Sequence, residues 1–240
     1  MTHSHDIALV PLSGDLSVQS APMLKRTLEG LFSNGACRIV LNMAEVPYVD
    51  SAGMSVILGA VRRMRREGGL LSLVNVSPDV LRALRIARLV DLIPVSAAGD
   101  EREVPPLDPS TLPLWRTTLP VHADDLQSAR MRVEELVSTL PFSRDAVFDT
   151  TLAVGEAVGN AADHTCGQGI LVTMTAYPDR LLVEVADCGN GFMPAETPAP
   201  PNDFDERGRG IRLMQLLVDL VTIEPKSSGS GTVVRLVKLV

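Results

Sequence analysis

The sequence predicts two α/β domains in tandem: an N-terminal domain with helices packed on a sheet, and a C-terminal α/β sandwich with one helical layer on one mixed sheet. Three observations carry this. Strand-like and helix-like segments alternate through residues 1–96. A stretch rich in proline and charge, residues 97–113, breaks all periodicity and reads as a linker. Beyond it, residues 114–240 set amphipathic helices against runs of alternating apolar residues. The 240 residues suffice for two ordinary domains, and 45% hydrophobic against 21% charged residues is the balance of a folded chain.

In the first domain, residues 7–12 read as a strand closed by the turn Ser13-Gly14-Asp15. Residues 16–32 carry a helical apolar stripe ended by Asn34-Gly35. Residues 38–41 form a short apolar strand and 46–49 another extended run. Residues 52–64 are helical, with Met54, Ile57, Leu58 and Val61 on one side. Residues 70–74 are a strand after Gly68-Gly69. Ser77-Pro78 joins an N-cap to a first-turn proline, opening a helix that carries Val80, Leu81, Leu84 and Ile86.

The second domain begins with the extended segment 115–121. Residues 123–140 are amphipathic, with Leu126, Ala129, Val133 and Leu136 in register. Ser143 caps a long helix reaching His164. Residues 170–176 and 181–185 pair across Tyr177-Pro-Asp-Arg180. Residues 193–205 are proline-rich and irregular, and residues 210–220 are helical. Residues 221–223 and 232–237 complete the sheet around Ser227-Ser-Gly-Ser-Gly231.

Composition removes several classes. Aromatics are 3% of the chain, too few for nucleic-acid binding by base stacking. The formal charge of −7 is uneven: residues 1–100 hold 10 cationic and 9 acidic side chains, residues 101–240 hold 12 and 20. The one basic cluster, Arg62-Arg63-Met64-Arg65-Arg66, suits a solvated helix C-terminus. Direct contact with nucleic acid is therefore not expected. No apolar run reaches membrane-spanning length and the N-terminus lacks an apolar signal core, so neither a membrane partner nor export is expected. Cys37, Cys166 and Cys188 show neither metal spacing nor a disulfide framework, which fits a cytoplasmic location. His3 and His5 read as a polar terminus rather than a metal site.

Three short segments of the second half bear chemistry. Glu156 and Asn160 share one helix face, with Asp163 and His164 beside them. A carboxylate and an amide oxygen facing one cleft suit a hydrated Mg²⁺, and the same pair also serves as ordinary surface polarity. Ala153, Val154, Ala157 and Ala161 would pack the rest of that helix tightly and leave the polar row at a cavity. Asp187-Cys-Gly-Asn-Gly191 follows a strand. Its carboxylate suits an exocyclic amine and its glycines permit close approach, although a plain glycine turn reads the same way. Gly208-Arg-Gly210 opens a helix whose free N–H groups suit phosphates, and it too reads as a simple helix start.

In order and spacing, these three segments together resemble the N, G1 and G2 boxes of the GHKL ATPases, which share the Bergerat α/β sandwich. Within that superfamily the anti-sigma factor serine kinases are the most similar, over about residues 114–240. The resemblance implies ATP and Mg²⁺ as cofactors. It implies that Glu156 is the catalytic base, Asn160 a Mg²⁺ ligand and Asp187 an adenine contact. Gly189, Gly191, Gly208 and Gly210 would shape the pocket and lid, Thr232 would support the adenine end, and Arg209 would reach the phosphates.

Residues 6–95 resemble a STAS domain, the fold of anti-sigma factor antagonists. The match rests on Val46-Pro-Tyr-Val-Asp50-Ser51-Ala-Gly-Met, Pro11-Leu-Ser-Gly-Asp15-Leu and Val90-Asp-Leu-Ile-Pro94-Val. It implies that Ser51 is the phospho-acceptor, and Ser51 also reads as the N-cap of the helix after it. Ala52 stands where many relatives carry Ser or Thr. The joint expectation is a fused anti-sigma serine kinase and antagonist. Its partners would be an RNA polymerase sigma factor and a STAS domain in cis or in trans, within a homodimer. The alternative is an ATP-binding module whose STAS domain masks a partner face without phosphoryl transfer.

Overall fold

The computed structural model describes residues 7–98, 103–164, 169–187, 206–226 and 231–240, without the side chains of residues 164 and 206–209. The chain divides into two units, Met1–Glu101 and Arg102–Val240.

The first unit alternates strictly: β1 (Ile7–Ser13), α1 (Ala21–Ser33), β2 (Arg38–Glu45), α2 (Ser51–Arg66), β3 (Leu70–Val76), α3 (Pro78–Ile86) and β4 (Val95–Ala97). The strands pair in chain order, every pair parallel. Each connection is a helical crossover, and crossovers of one hand along one direction place their helices on one face. One apolar cluster confirms this. Ile39, Leu41 and Met43 of β2, with Leu71 and Leu73 of β3, pack against Leu24 and Leu28 of α1, Ile57 and Val61 of α2, and Val80 and Leu84 of α3.

Several boundaries differ from expectation. The stripe from residue 16 becomes helical only at Ala21, where Pro22 suits a first turn because its missing N–H has no helical partner. Before it, Leu16 bridges Val49, and the Ser20 hydroxyl donates to the Asp15 carbonyl at 2.7 Å. That bridge is the whole strand content of residues 46–49, while β2 runs on to Glu45. Ser77 caps α3 as expected, accepting from the Val80 N–H. Ile86 does not join the buried stripe and is 78% exposed, because it falls off the face that Val80 and Leu84 share. β4, three residues long, was too short to read.

The second unit comprises β5 (Trp115–Val121), a 3₁₀ turn (Ala123–Asp125), α4 (Leu126–Val137), α5 (Arg144–His164), β6 (Ile170–Ala176), β7 (Arg180–Asp187), α6 (Glu206–Leu217), β8 (Leu220–Pro225) and β9 (Thr232–Leu239). The sheet order is β5-β6-β7-β9-β8, and all four pairings are antiparallel, which corrects the mixed sheet expected. The reason is topological. Two helices between β5 and β6 return the chain reversed, and β9 inserts between β7 and β8, antiparallel to both. α5 packs against β6, β7 and β9 and lies beside α4 and α6. Its inward residues Ala153, Val154, Ala157 and Ala161 are buried, as expected. They meet rows such as Val172, Val185 and Val234, which align across β6, β7 and β9.

The linker is partly built into this unit. The buried Arg180 guanidinium holds Asp179 through Nε and Nη2, and its Nη1 donates to the Pro105 carbonyl at 2.6 Å. The Leu114 N–H donates to the Ala176 carbonyl at 2.8 Å. Arg180→Ala should release residues 103–113: hydrogen bonds to a charged group contribute roughly 1.5–3 kcal/mol, so proteolytic nicking there should rise at least about tenfold, read by mass spectrometry.

Candidate functional site

α5 and α6 bring the first cluster together. Glu156 and Asn160, four residues apart on α5, are half-buried. Both lie over Gly210 of α6: a Cβ there would stand 3.2 Å from Asn160 Nδ2, 3.5 Å from Asn160 Oδ1 and 3.5 Å from Glu156 Oε2. The glycine therefore lets two polar side chains rest on helix backbone. α6 begins at Glu206, earlier than expected, so Gly208 lies within the first turn and Gly210 at the start of the second. Phosphate-binding N–H groups belong to the first turn, which makes Gly210 a packing residue rather than an amide donor.

A second cluster forms where β7 ends. Asp187 is the last residue of β7, is 4% exposed, and its Oδ2 accepts from the Thr232 N–H at 3.2 Å. Gly231 precedes Thr232 with φ +121°, and a Cβ on it would stand 2.4 Å from the Asp187 carbonyl oxygen. Only glycine allows both this conformation and this approach. Asp187 lies opposite Ile170 in the ladder, so the end of β7, the start of β6 and the start of β9 meet at one end of the sheet, to which the chain returns from α5. The sequence reading named Asp187 and Thr232 but missed Gly231 as the element joining them. A glycine immediately before a strand was the available signal.

Gly189 and Gly191 lie outside the described residues, as do the side chains of Arg209 and His164. Among the described residues no group of three or more His, Cys, Asp or Glu could hold a metal, and no helix is long and apolar enough to cross a membrane. A cavity of about 510 Å³ opens between β5 and the end of α4, lined by Trp115, Leu136, Leu140 and Pro141 among others, and none of the expected site residues lines it.

In the first unit, Ser51 is exposed as the first residue of α2. The cap is Asp50, not Ser51: Asp50 Oδ1 accepts from the N–H groups of Ala52 at 2.8 Å and Gly53 at 2.9 Å. The Ser51 hydroxyl therefore has no capping duty. Asp50 Oδ2 accepts from the Val18 N–H at 2.9 Å, a tie to the β1–α1 loop that nothing in the local sequence signals. The Gly53 N–H above all, with those of Val18 and Ala52 adding lesser effects, holds the Asp50 carboxyl below its ordinary range although burial opposes it. A depressed carboxylate contributes stability that is complete above the unfolded value of about 3.9 and is lost as pH falls through the folded value. The gap in urea midpoint between wild type and Asp50→Asn should thus be constant above about pH 5 and shrink below about pH 4, followed by circular dichroism.

Comparison with known proteins agrees with both halves. Residues 119–238 match the histidine kinase-like ATPase domain and residues 1–101 match the STAS domain. The first half is 37% identical over 92 residues to the anti-sigma-B factor antagonist of Bacillus subtilis, covering 38% of this chain and 83% of that protein. It is 29% identical over 96 residues to the anti-sigma F factor antagonist of Paenibacillus polymyxa, covering 40% and 82%. The chain is 27% identical over 132 residues to the serine-protein kinase RsbW of Halalkalibacterium halodurans, covering 50% and 80%. The chain belongs to the histidine kinase-like ATPase family and carries an anti-sigma factor antagonist STAS domain ahead of the ATPase domain.

Proposed function

We propose that this chain is an ATP-dependent protein serine kinase fused to its own STAS substrate, and that it regulates an RNA polymerase sigma factor by partner switching. In this reading residues 1–96 are the antagonist, 97–113 the linker and 114–240 the kinase. The observation that carries it is the packing of Glu156 and Asn160 over Gly210, in a chain whose other unit exposes Ser51 with no capping duty.

Glu156 accepts the proton of the Ser51 hydroxyl as Ser51 Oγ forms a bond to the γ-phosphorus of ATP. The bond between that phosphorus and the bridging oxygen breaks, and ADP leaves. Such a transfer is driven by positioning and charge neutralisation. Asn160 would hold a Mg²⁺ ion, which would supply that neutralisation when bound. One amide oxygen beside a carboxylate fits this ion, which takes few protein ligands and keeps its waters. Asp187 accepts from the adenine amine, a role that suits a buried carboxylate because its two oxygens can accept several hydrogen bonds. Gly189 and Gly191 shape the base pocket. Gly208 and Arg209 face the phosphates. The unphosphorylated antagonist competes with sigma for the kinase, and phosphorylation of Ser51 releases it.

The test is incubation of the full chain with Mg²⁺ and γ-labelled ATP, followed by phosphopeptide mapping. Label on Ser51 that disappears in Ser51→Ala supports the reading. Nucleotide binding without label supports instead a masking module that binds ATP and transfers nothing. Mixing a Glu156→Gln chain with a Ser51→Ala chain separates the routes: label on the former shows transfer between copies, as in a homodimer, and its absence confines transfer to one chain.

A further inference from the structure

Asp50 joins two elements that are far apart in sequence. One of its oxygens serves the start of α2 and the other serves the β1–α1 loop. The surrounding backbone stitches the same two segments together: the Leu16 N–H donates to the Tyr48 carbonyl and the Asp50 N–H to the Leu16 carbonyl, both at 2.9 Å. Two large side chains among those presented there point outward. Val18 is 68% exposed and Tyr48 is 56% exposed. The hydroxyl of Ser51 is the next side chain along the chain from this carboxylate.

We infer that Asp50 is a positioning residue that couples the phosphorylation state of Ser51 to the β1–α1 loop through its hydrogen bond with the Val18 N–H. This rests on Ser51 being the acceptor. A phosphoryl group adds about two negative charges, placed one residue from a carboxylate that is itself ionised at neutral pH. The two anions repel, and both draw on the N–H groups of Ala52 and Gly53. Asp50 has one torsionally linked pair of oxygens, so a turn of the carboxylate that relieves Oδ1 also takes Oδ2 away from Val18. The Val18 N–H then loses its partner, and the β1–α1 loop that carries the exposed Val18 side chain loses one of its ties to α2. Phosphorylation would in this way alter the shape of the surface around the acceptor as well as its charge.

Amide exchange of the full chain, resolved at Val18 and compared before and after treatment with Mg²⁺ and ATP, tests this. A hydrogen bond to a charged acceptor protects an amide by about tenfold or more, so Val18 should exchange about tenfold faster in the phosphorylated wild type. Ser51→Ala should show no change with ATP. Asp50→Ser keeps a capping oxygen but has too few oxygens to serve both elements. It should exchange fast at Val18 in either state, with an unchanged far-ultraviolet spectrum showing that the fold survives. Asp50→Asn likewise has a single acceptor oxygen, its amide nitrogen being a donor, and should also exchange fast at Val18 in either state. Label on Ser51 with Val18 exchange unchanged overturns the coupling alone. Asp50→Ser with wild-type protection at Val18 overturns it as well. Absence of label on wild type removes both the coupling and the assignment of Ser51 as acceptor.

Discussion

Replacement of Glu156 by Gln is expected to slow phosphorylation of Ser51 by about 10²–10⁴-fold, the range that a positioned general base contributes. Gln has the shape of Glu, so the packing over Gly210 and the row shared with Asn160 should persist. What disappears is the capacity to take a proton. The Ser51 hydroxyl would have to lose its proton to water while its oxygen attacks phosphorus, and the barrier rises accordingly. Nucleotide affinity should stay within a few-fold of wild type, because adenine is assigned to Asp187, on β7 rather than on α5. Single-turnover labelling and equilibrium binding of a fluorescent nucleotide separate the two effects. Equal labelling in wild type and variant would remove Glu156 from the chemistry. Weakened binding with an unchanged transfer step would make it a ligand-holding residue instead.

The second large effect is expected at Gly231. Alanine there adds a Cβ 2.4 Å from the Asp187 carbonyl oxygen, at a φ of +121° that side chains rarely adopt. Backbone atoms lie on both sides of the clash, so no rotamer change relieves it. Overpacking of this kind costs about 1–3 kcal/mol, and the unfavourable φ adds roughly 1–3 kcal/mol more. Movement of the Gly231–Thr232 backbone also lengthens the hydrogen bond from the Thr232 N–H to Asp187, which orients the carboxylate. Gly231→Ala should therefore lower the denaturation midpoint of the second unit and weaken nucleotide binding at least about tenfold, with the first unit unaffected. The intrinsic fluorescence of Trp115, the single tryptophan, reports on the second unit alone. Unchanged unfolding would mean that the approach of β9 to Asp187 is readily relaxed.

Much of this molecule is legible locally. The N-cap at Ser77, the cap at Ser143, the hairpin across Tyr177–Arg180 and the full extent of β5 follow from neighbouring residues, because capping, turn formation and apolar alternation act over a few positions. The pairing of Glu156 with Asn160 was equally accessible, since four residues make one helical turn. Other features were not. The cap of α2 read as Ser51 from composition, and the competition between two adjacent capping residues was settled by the Val18 N–H, 32 positions away, which draws on Asp50. Arg180 looked like a turn residue, and its hold on the linker depends on a carbonyl 75 positions earlier. The antiparallel character of the second sheet depended on where β9 inserts, which no periodicity records.

By itself, then, the sequence determined most of the segments that form helices and strands, and it offered a domain boundary and a few polar residues as candidates for chemistry, because backbone preference and side-chain periodicity are properties of consecutive residues. Only the tertiary structure decided that Gly210 lies under Glu156 and Asn160, that Gly231 locks Thr232 against Asp187, and that Asp50 ties α2 to a distant loop. Those contacts arise from packing elements remote along the chain, and close approach between backbones is a matter of a few tenths of an ångström that composition does not encode.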